Sequence, residues 1–248
     1  MRKVNLIPMA GTGLRFKKQG YKLPKPLIKI NNTPMFVNSV RSLPNCDLLI
    51  FICLKEHILK FNIDKHIKNY FPKAKIISLV KKTKGQVSSC LKAKKYLRPN
   101  DCLTIGSCDY SMKYNKKIFK SKLINSDLIV WTFKDQESIK KNPYYYGYVK
   151  SNKFDKIINS SCKIPLSNKP WNDDVIIGTF TFKRAKDFIK YAELLIKKKI
   201  KVNNEYYIDS IINYFIGSKL LAKKFKVSKF NGWGTPFELK RFLSNKNV

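Results

Sequence analysis

A short apolar run, Val4-Asn5-Leu6-Ile7, leads straight into a glycine loop, Met9-Ala10-Gly11-Thr12-Gly13-Leu14-Arg15-Phe16, and ten residues past Arg15 comes Pro24-Lys25-Pro26-Leu27. The run has the composition of a buried strand, and Pro8, which has no N–H to give, is expected to end its ladder. A loop in that position lies at the carboxyl edge of an open α/β sheet, where such sheets bind ligands. Two glycines let backbone N–H groups approach a polyphosphate with no side chain in the way, and Arg15 and Lys25 add positive charge to the same anion. A dinucleotide fingerprint is excluded. It needs a third glycine opening a helix and an acid about 20 positions on, whereas Phe16, Lys17 and Lys18 stand here.

Apolar runs of strand type recur at residues 4–7, 48–53, 76–79, 102–105, 128–133, 175–182 and 225–227. Helical patterns lie between and after them, at residues 35–43, 56–69, 86–96, 185–198 and 206–216. Strands alternating with helices predict an α/β fold: a mostly parallel, Rossmann-like sheet with helices on both faces. The segment 144–170 reads as a small β-hairpin excursion over the substrate side. At 248 residues the chain is expected to form a single domain spanning residues 1–248, with no linker or internal repeat.

The formal net charge of +35 raises the question of nucleic acid. Its distribution argues against a specific binder. Arginine, the better residue for bidentate phosphate and base recognition, occurs only at Arg2, Arg15, Arg41, Arg98, Arg184 and Arg241, while lysine is spread evenly beside Asn and Ile. That pattern fits an AT-rich coding sequence, and non-specific attraction of polyanions is all that it predicts. Cys46, Cys53, Cys90, Cys102, Cys108 and Cys162 form no CxxC pair and no zinc spacing with His57 or His66, which fits a reducing setting. With no signal-like apolar stretch and no run of about 18 apolar residues, a soluble cytoplasmic protein without membrane contact is expected.

Taken in order, IPMAGTGLRF, PKPLIKINNTPM, KGQVSSCLKA, IGSCDY, YYGYV, VIIGTFTFK, NNEYYIDSIIN and WGTPFELKRF make the chain resemble the sugar-phosphate nucleotidyltransferases. The likeness covers nearly its whole length. It implies one nucleotide-binding α/β domain, dependence on Mg2+, transfer of a nucleoside monophosphate from an NTP to a sugar 1-phosphate or similar phosphorylated metabolite, and release of pyrophosphate. It also implies a role in supplying NDP-sugar precursors for surface polysaccharide. Carried over by residue, Met9, Ala10, Gly11 and Gly13 correspond to the nucleotide cradle, Arg15 and Lys25 to the cations on its phosphates, and Gln86 to the base contact. Asp109 corresponds to the metal ligand, Gly147, Gly178 and Glu205 to the acceptor side, and Lys163 to the lysine that meets the incoming phosphate, although the acid expected before it is Cys162.

One departure bears on mechanism. The second metal-binding Asp expected two residues before Gly-Thr-Pro is Gly232, leaving Asn231, Asp173, Asp174 or water to fill its place. Two other readings compete with nucleotidyl transfer. A glycosyltransferase of similar sheet predicts a DxD pair, and Gly106-Ser107-Cys108-Asp109 offers one acid; a basic nucleotide- or nucleic-acid-binding homologue with weakened turnover is the non-enzymatic reading. The base, the acceptor and the oligomeric state are not fixed by these motifs.

Overall fold

In the computed structural model, residues 1–134 and 136–244 are described. The strands are β1 (Lys3–Met9), β2 (Lys29–Ile30), β3 (Thr33–Pro34), β4 (Leu48–Leu54), β5 (Lys75–Leu79), β6 (Cys102–Ile105) and β7 (Tyr110–Lys113), followed by β8 (Leu128–Phe133), β9 (Gly147–Ser151), β10 (Ile157–Cys162), β11 (Asp174–Phe182), β12 (Ala222–Lys226) and β13 (Lys229–Gly232). Nine of these build one mostly parallel, Rossmann-like sheet in the order β10-β9-β11-β6-β1-β4-β5, with β8 on β11 and β12 on β8. The core β6-β1-β4-β5 is parallel throughout. β11 runs against it, pairing antiparallel with β6, β8 and β9.

Alternation along the central strands divides the apolar side chains between two faces. Val4, Leu6, Ile50 and Ile52 pack with Phe188, Leu195, Ile211 and Phe215. Ile7, Met9, Phe51 and Cys53 pack on the other side with Phe36, Val37, Ile63 and Ile67. Both faces of the parallel strands are thus covered, as strands that are apolar on both sides require. A smaller cluster of Phe16, Ile28, Met35, Trp233 and Leu239 ties the segment after the glycine loop to the helix Pro236–Ser244. The six cysteines are free thiols, and burial pushes the Cys53 and Cys108 thiols up to about 12, the state of inert packing groups.

Pro8 does not end β1. Its register with β4 continues through Met9↔Cys53, whereas pairing with β6 stops at Leu6↔Ile105. The Leu6 carbonyl accepts from Gly106 N–H, so alternate residues of β1 turn their polar groups toward β6, and the N–H that Pro8 lacks falls where β6 has already finished. The predicted helix at 56–69 is two helices, Lys55–Phe61 and Ile63–Tyr70, separated by Asn62 in the left-handed region at φ 49°. Asparagine tolerates that conformation better than most residues. The stretches 86–96 and 206–216 each combine a 3-10 turn with a short α-helix. The hairpin of β9 and β10 extends the main sheet beyond β11.

The amino end of the sheet is fastened by Arg2 and Asp101. Arg2 Nε and Nη2 donate to the two Asp101 oxygens at 2.9 and 2.5 Å, and Arg98 N–H adds 2.7 Å. Burial alone would raise the Asp101 carboxyl, but these donors outweigh it and hold it below the usual range. The stabilisation is therefore present above the carboxyl's unfolded pKa and is lost as pH falls through its lower folded value. Asp101→Asn should cost about 1–3 kcal/mol at neutral pH. In urea unfolding the gap between variant and parent should shrink below about pH 4, near the ordinary Asp pKa; a gap independent of pH would contradict the ion-pair account.

Candidate active site

β11 creates the opening in the sheet. Val175 pairs with Tyr148 of β9 and Phe133 of β8, and Phe180 pairs with Ile105 of β6 and Val130 of β8, so β9 and β6 divide the edge that β8 leaves free. Between them the register shifts, and Gly178 takes φ 81°, a conformation that L side chains rarely adopt. Here a cleft of about 330 Å³ opens, with Ile176, Ile177 and Gly178 in its wall.

Arg15, Lys25, Gln86, Asp109, Gly147, Lys163 and Gly178, far apart in the chain, all line this cleft. Lys25 arrives on the 3-10 turn Lys25–Leu27, begun by Pro24 and Pro26. Asp109 follows β6 after a three-residue turn. Lys25 Nζ donates to Asp109 Oδ2 at 2.6 Å, with the two side chains 23% and 18% exposed, and Ser107 Oγ donates to Asp109 Oδ1. Burial disfavours the charge on each and is the largest single influence. Mutual attraction with the added hydrogen bonds nevertheless leaves Lys25 above and Asp109 below its ordinary value, so both are charged at neutral pH.

Gln86 is positioned by a backbone contact. Gly85 has φ 111°, and a Cβ there would stand 2.4 Å from Tyr206 N, while Val87 N–H donates to Tyr206 O at 3.1 Å. That contact brings the start of helix Gln86–Cys90 beside Tyr207, another wall residue. Arg15 lies 4.1 Å above the Tyr145 ring, and Lys163 donates its ammonium to the carbonyl of the same Tyr145.

The remaining predicted residues are placed differently. Met9 and Ala10 are buried on opposite faces of the sheet, so only their backbone is available to a ligand. Gly11 has open space around it, and Gly13, at φ 65°, begins the turn Leu14–Lys17 that carries Arg15. Glu205 is not among the wall residues; it pairs with Lys82 at 2.6 Å and accepts from Tyr207 at 3.0 Å. Asp173 accepts from Ser167, Asp174 pairs with Lys224 at 2.6 Å, and Asn231 donates to Ser111 at 3.1 Å, and none of the three is among the residues that line the cleft.

Two acids missed in the sequence enter the cleft instead. Glu238 accepts from Thr235 N–H at 2.8 Å and from Tyr146 OH at 2.8 Å; its spacing from Thr235 is that of a helix capping box, the one signal that marked it. A Cβ on Gly234 would lie 3.3 Å from Asp109 Oδ2 and 3.4 Å from Glu238 Oε2, so the glycine keeps open the space between the two carboxylates. Asp209 comes up under Gly147, where a Cβ would fall 2.3 Å from its Oδ1. Among the described residues no group of three or more His, Cys, Asp and Glu forms a metal cluster, and no helix is long and apolar enough to cross a membrane.

No family model and no curated protein matches the chain. Solved structures do. A nucleoside-diphosphate-sugar pyrophosphorylase from Vibrio cholerae superposes with TM-score 0.78 at 20% identity, covering 97% of this chain and 99% of that one. A putative glucose-1-phosphate thymidylyltransferase from Bacillus anthracis gives 0.76 at 17% identity, covering 98% and 94%. The inositol-1-phosphate CTP transferase from T. maritima gives 0.72 at 12%, covering 98% and 95%. The chain shares their fold. The likeness runs over nearly the whole length of both chains in each case.

Gly147 and Gly178 are required for different reasons, which makes them separable. Gly147→Ala overpacks against Asp209 and should cost about 1–3 kcal/mol. Gly178→Ala has open space and pays only for its backbone conformation, about 1–2 kcal/mol. Adding Asp209→Ala should recover most of the first loss and none of the second, read as a double-mutant cycle in denaturant; equal recovery in both would refute the contact.

Proposed function

We propose that the protein is a nucleotidyltransferase that moves a nucleoside monophosphate from an NTP onto a phosphorylated small molecule, a sugar 1-phosphate or similar metabolite, and releases pyrophosphate. One observation carries this reading: Arg15, Lys25, Gln86, Asp109 and Lys163, separated by up to 148 residues, converge on one cleft large enough for a small ligand. The shared fold supports it, since solved proteins of this architecture include pyrophosphorylases and transferases of nucleotides.

The backbone of Gly11 to Gly13 and the Arg15 guanidinium would receive the triphosphate, Lys25 would neutralise charge on its phosphates, and Lys163 would hold the acceptor phosphate. An oxygen of that phosphate attacks the α-phosphorus, a new P–O bond forms, and the bond to the β-phosphate breaks as pyrophosphate leaves. A phosphate monoester is already ionised at neutral pH, so no base has to take a proton. That suits a cleft whose wall holds no histidine. The protein then works by alignment and by opposing the charge that develops in the transition state.

Mg2+ fits the donor set. Asp109 and Glu238 offer hard carboxylate oxygens on either side of Gly234, and such an ion is typically held by one or two carboxylates plus substrate phosphates. When bound, it would neutralise polyphosphate charge. Lys25 would then pass from Asp109 to the phosphates, its pairing in the free protein keeping both groups charged and in place.

The test is pyrophosphate release with Mg2+, each common NTP and a panel of sugar 1-phosphates and phosphorylated alcohols and amines. Asp109→Asn should lower the rate about 100- to 1,000-fold in a variant that is still folded by circular dichroism, though less stable for the lost partner of Lys25. A near-normal rate in that variant, or no binding of any triphosphate by the parent, would overturn the assignment.

A further inference from the structure

The acids of the cleft are not equally engaged. Asp109 is bound to Lys25 and Ser107, and Glu238 to Thr235 and Tyr146. Asp209 has no side-chain hydrogen bond among the described residues; its own backbone N–H is the donor that acts on it. Lys163 attracts it through space, but that ammonium donates to the Tyr145 carbonyl and lies 5.5 Å from the Tyr207 ring centroid. Burial raises the Asp209 carboxyl above its ordinary range, and Lys163 only partly offsets this. The backbone admits the carboxylate deliberately: a side chain on residue 147 would occupy its place.

The cleft that holds this carboxyl is rich in aromatic side chains. Tyr207, Tyr146, Phe133 and Phe230 share the cleft wall with it, and Phe133 and Phe230 have ring centroids 4.1 Å apart. An ammonium group draws on both features, a carboxylate for its charge and ring faces for their quadrupole. A buried carboxyl with no side-chain hydrogen-bond partner among the described residues gains most from a ligand that brings a full positive charge to it. At the same time Lys163, beside Asp209, offers a cation for a phosphate. Charges of both signs side by side match a zwitterion.

We propose that the acceptor is a phosphomonoester whose other end carries an ammonium group, with Asp209 as its counter-ion and the aromatic side chains of the same cleft wall available to it. This rests on the nucleotidyltransferase reading and narrows its acceptor.

Two probes of nearly equal shape decide it: phosphoethanolamine and n-propyl phosphate, in which a methyl replaces the ammonium. Each is titrated calorimetrically into the full-length protein with Mg2+ and a mixture of non-hydrolysable triphosphates at low salt. Phosphoethanolamine should bind at least about tenfold more tightly, a preference of the size that a partly desolvated cation contact supplies. In Asp209→Asn, checked for an unchanged thermal midpoint, the preference should fall below about twofold. Equal affinity of the two probes, binding of neither, a preference that survives Asp209→Asn, or tighter binding of glucose 1-phosphate would overturn the inference. Triphosphate binding measured alone separates the two failures: if it is saturable while no ammonium preference appears, only the acceptor class is wrong, and if it is absent the nucleotidyltransferase reading fails with it.

Discussion

The division of one edge of β11 between two partners governs everything near the cleft. β9 takes residues 174–175 and β6 takes 180–182, and neither can occupy the interval between them. Backbone groups left without a strand partner are costly unless something else satisfies them or they face solvent. A glycine at φ 81° turns the chain through that interval, and Ile176, Ile177 and Gly178 line the cleft. The gap so formed lies beside the end of β6, where the chain turns to Asp109, so the opening and the acid come from the same pair of strands. The glycine loop after β1 faces the same edge because β1 is the direct parallel neighbour of β6.

A second constraint holds the free site in a charged state. Three cations and three acids line the cleft, and the strongest link between them is Lys25 with Asp109. Burial works against both charges, and each would drift toward neutrality without the other. Arg15 and Lys163 are held more loosely, both by Tyr145, one through its ring and one through its carbonyl. A ligand that offers phosphates competes for these cations with partners that are only modest acceptors, so the rearrangement it must drive is small.

What could be read from the sequence was what is local or fixed by strand order. The strand, glycine loop and PKP segment sit within 27 residues, and their spacing alone sets Arg15 and Lys25 on one side of a sheet edge. Asp109 was legible because it follows an apolar strand after three residues. Pro8 was misjudged because its effect depends on which neighbour its missing N–H faces, a property of sheet order that a single strand does not carry. The split of the 56–69 helix depends on one Asn in the left-handed region, which no periodicity reveals. Asp209 and Glu238 were missed for a related reason. Each enters the cleft across a glycine distant in the chain or turned by a tight loop, Gly147 for the one and Gly234 for the other, and such a pairing is a fact of packing and not of pattern. Glu205, two residues before a wall residue, was the natural choice by motif, and Lys82, brought in from 123 residues away, takes its carboxylate.

The bare position at Gly232 has a structural counterpart that explains why no acid can simply be restored there. A Cβ on residue 232 would lie 2.9 Å from Phe230 Cε1. Phe230 is itself held on both sides, its centroid 4.1 Å from that of Phe133 and 5.5 Å from that of Tyr110. An aspartate at 232 would have to shift this ring, and with it part of the aromatic surface of the cleft wall. The loss of an acid on the β13 side and the gain of an aromatic wall are therefore one packing decision. Carboxyl groups enter the cleft from elsewhere, Glu238 at the start of the last helix and Asp209 beneath Gly147.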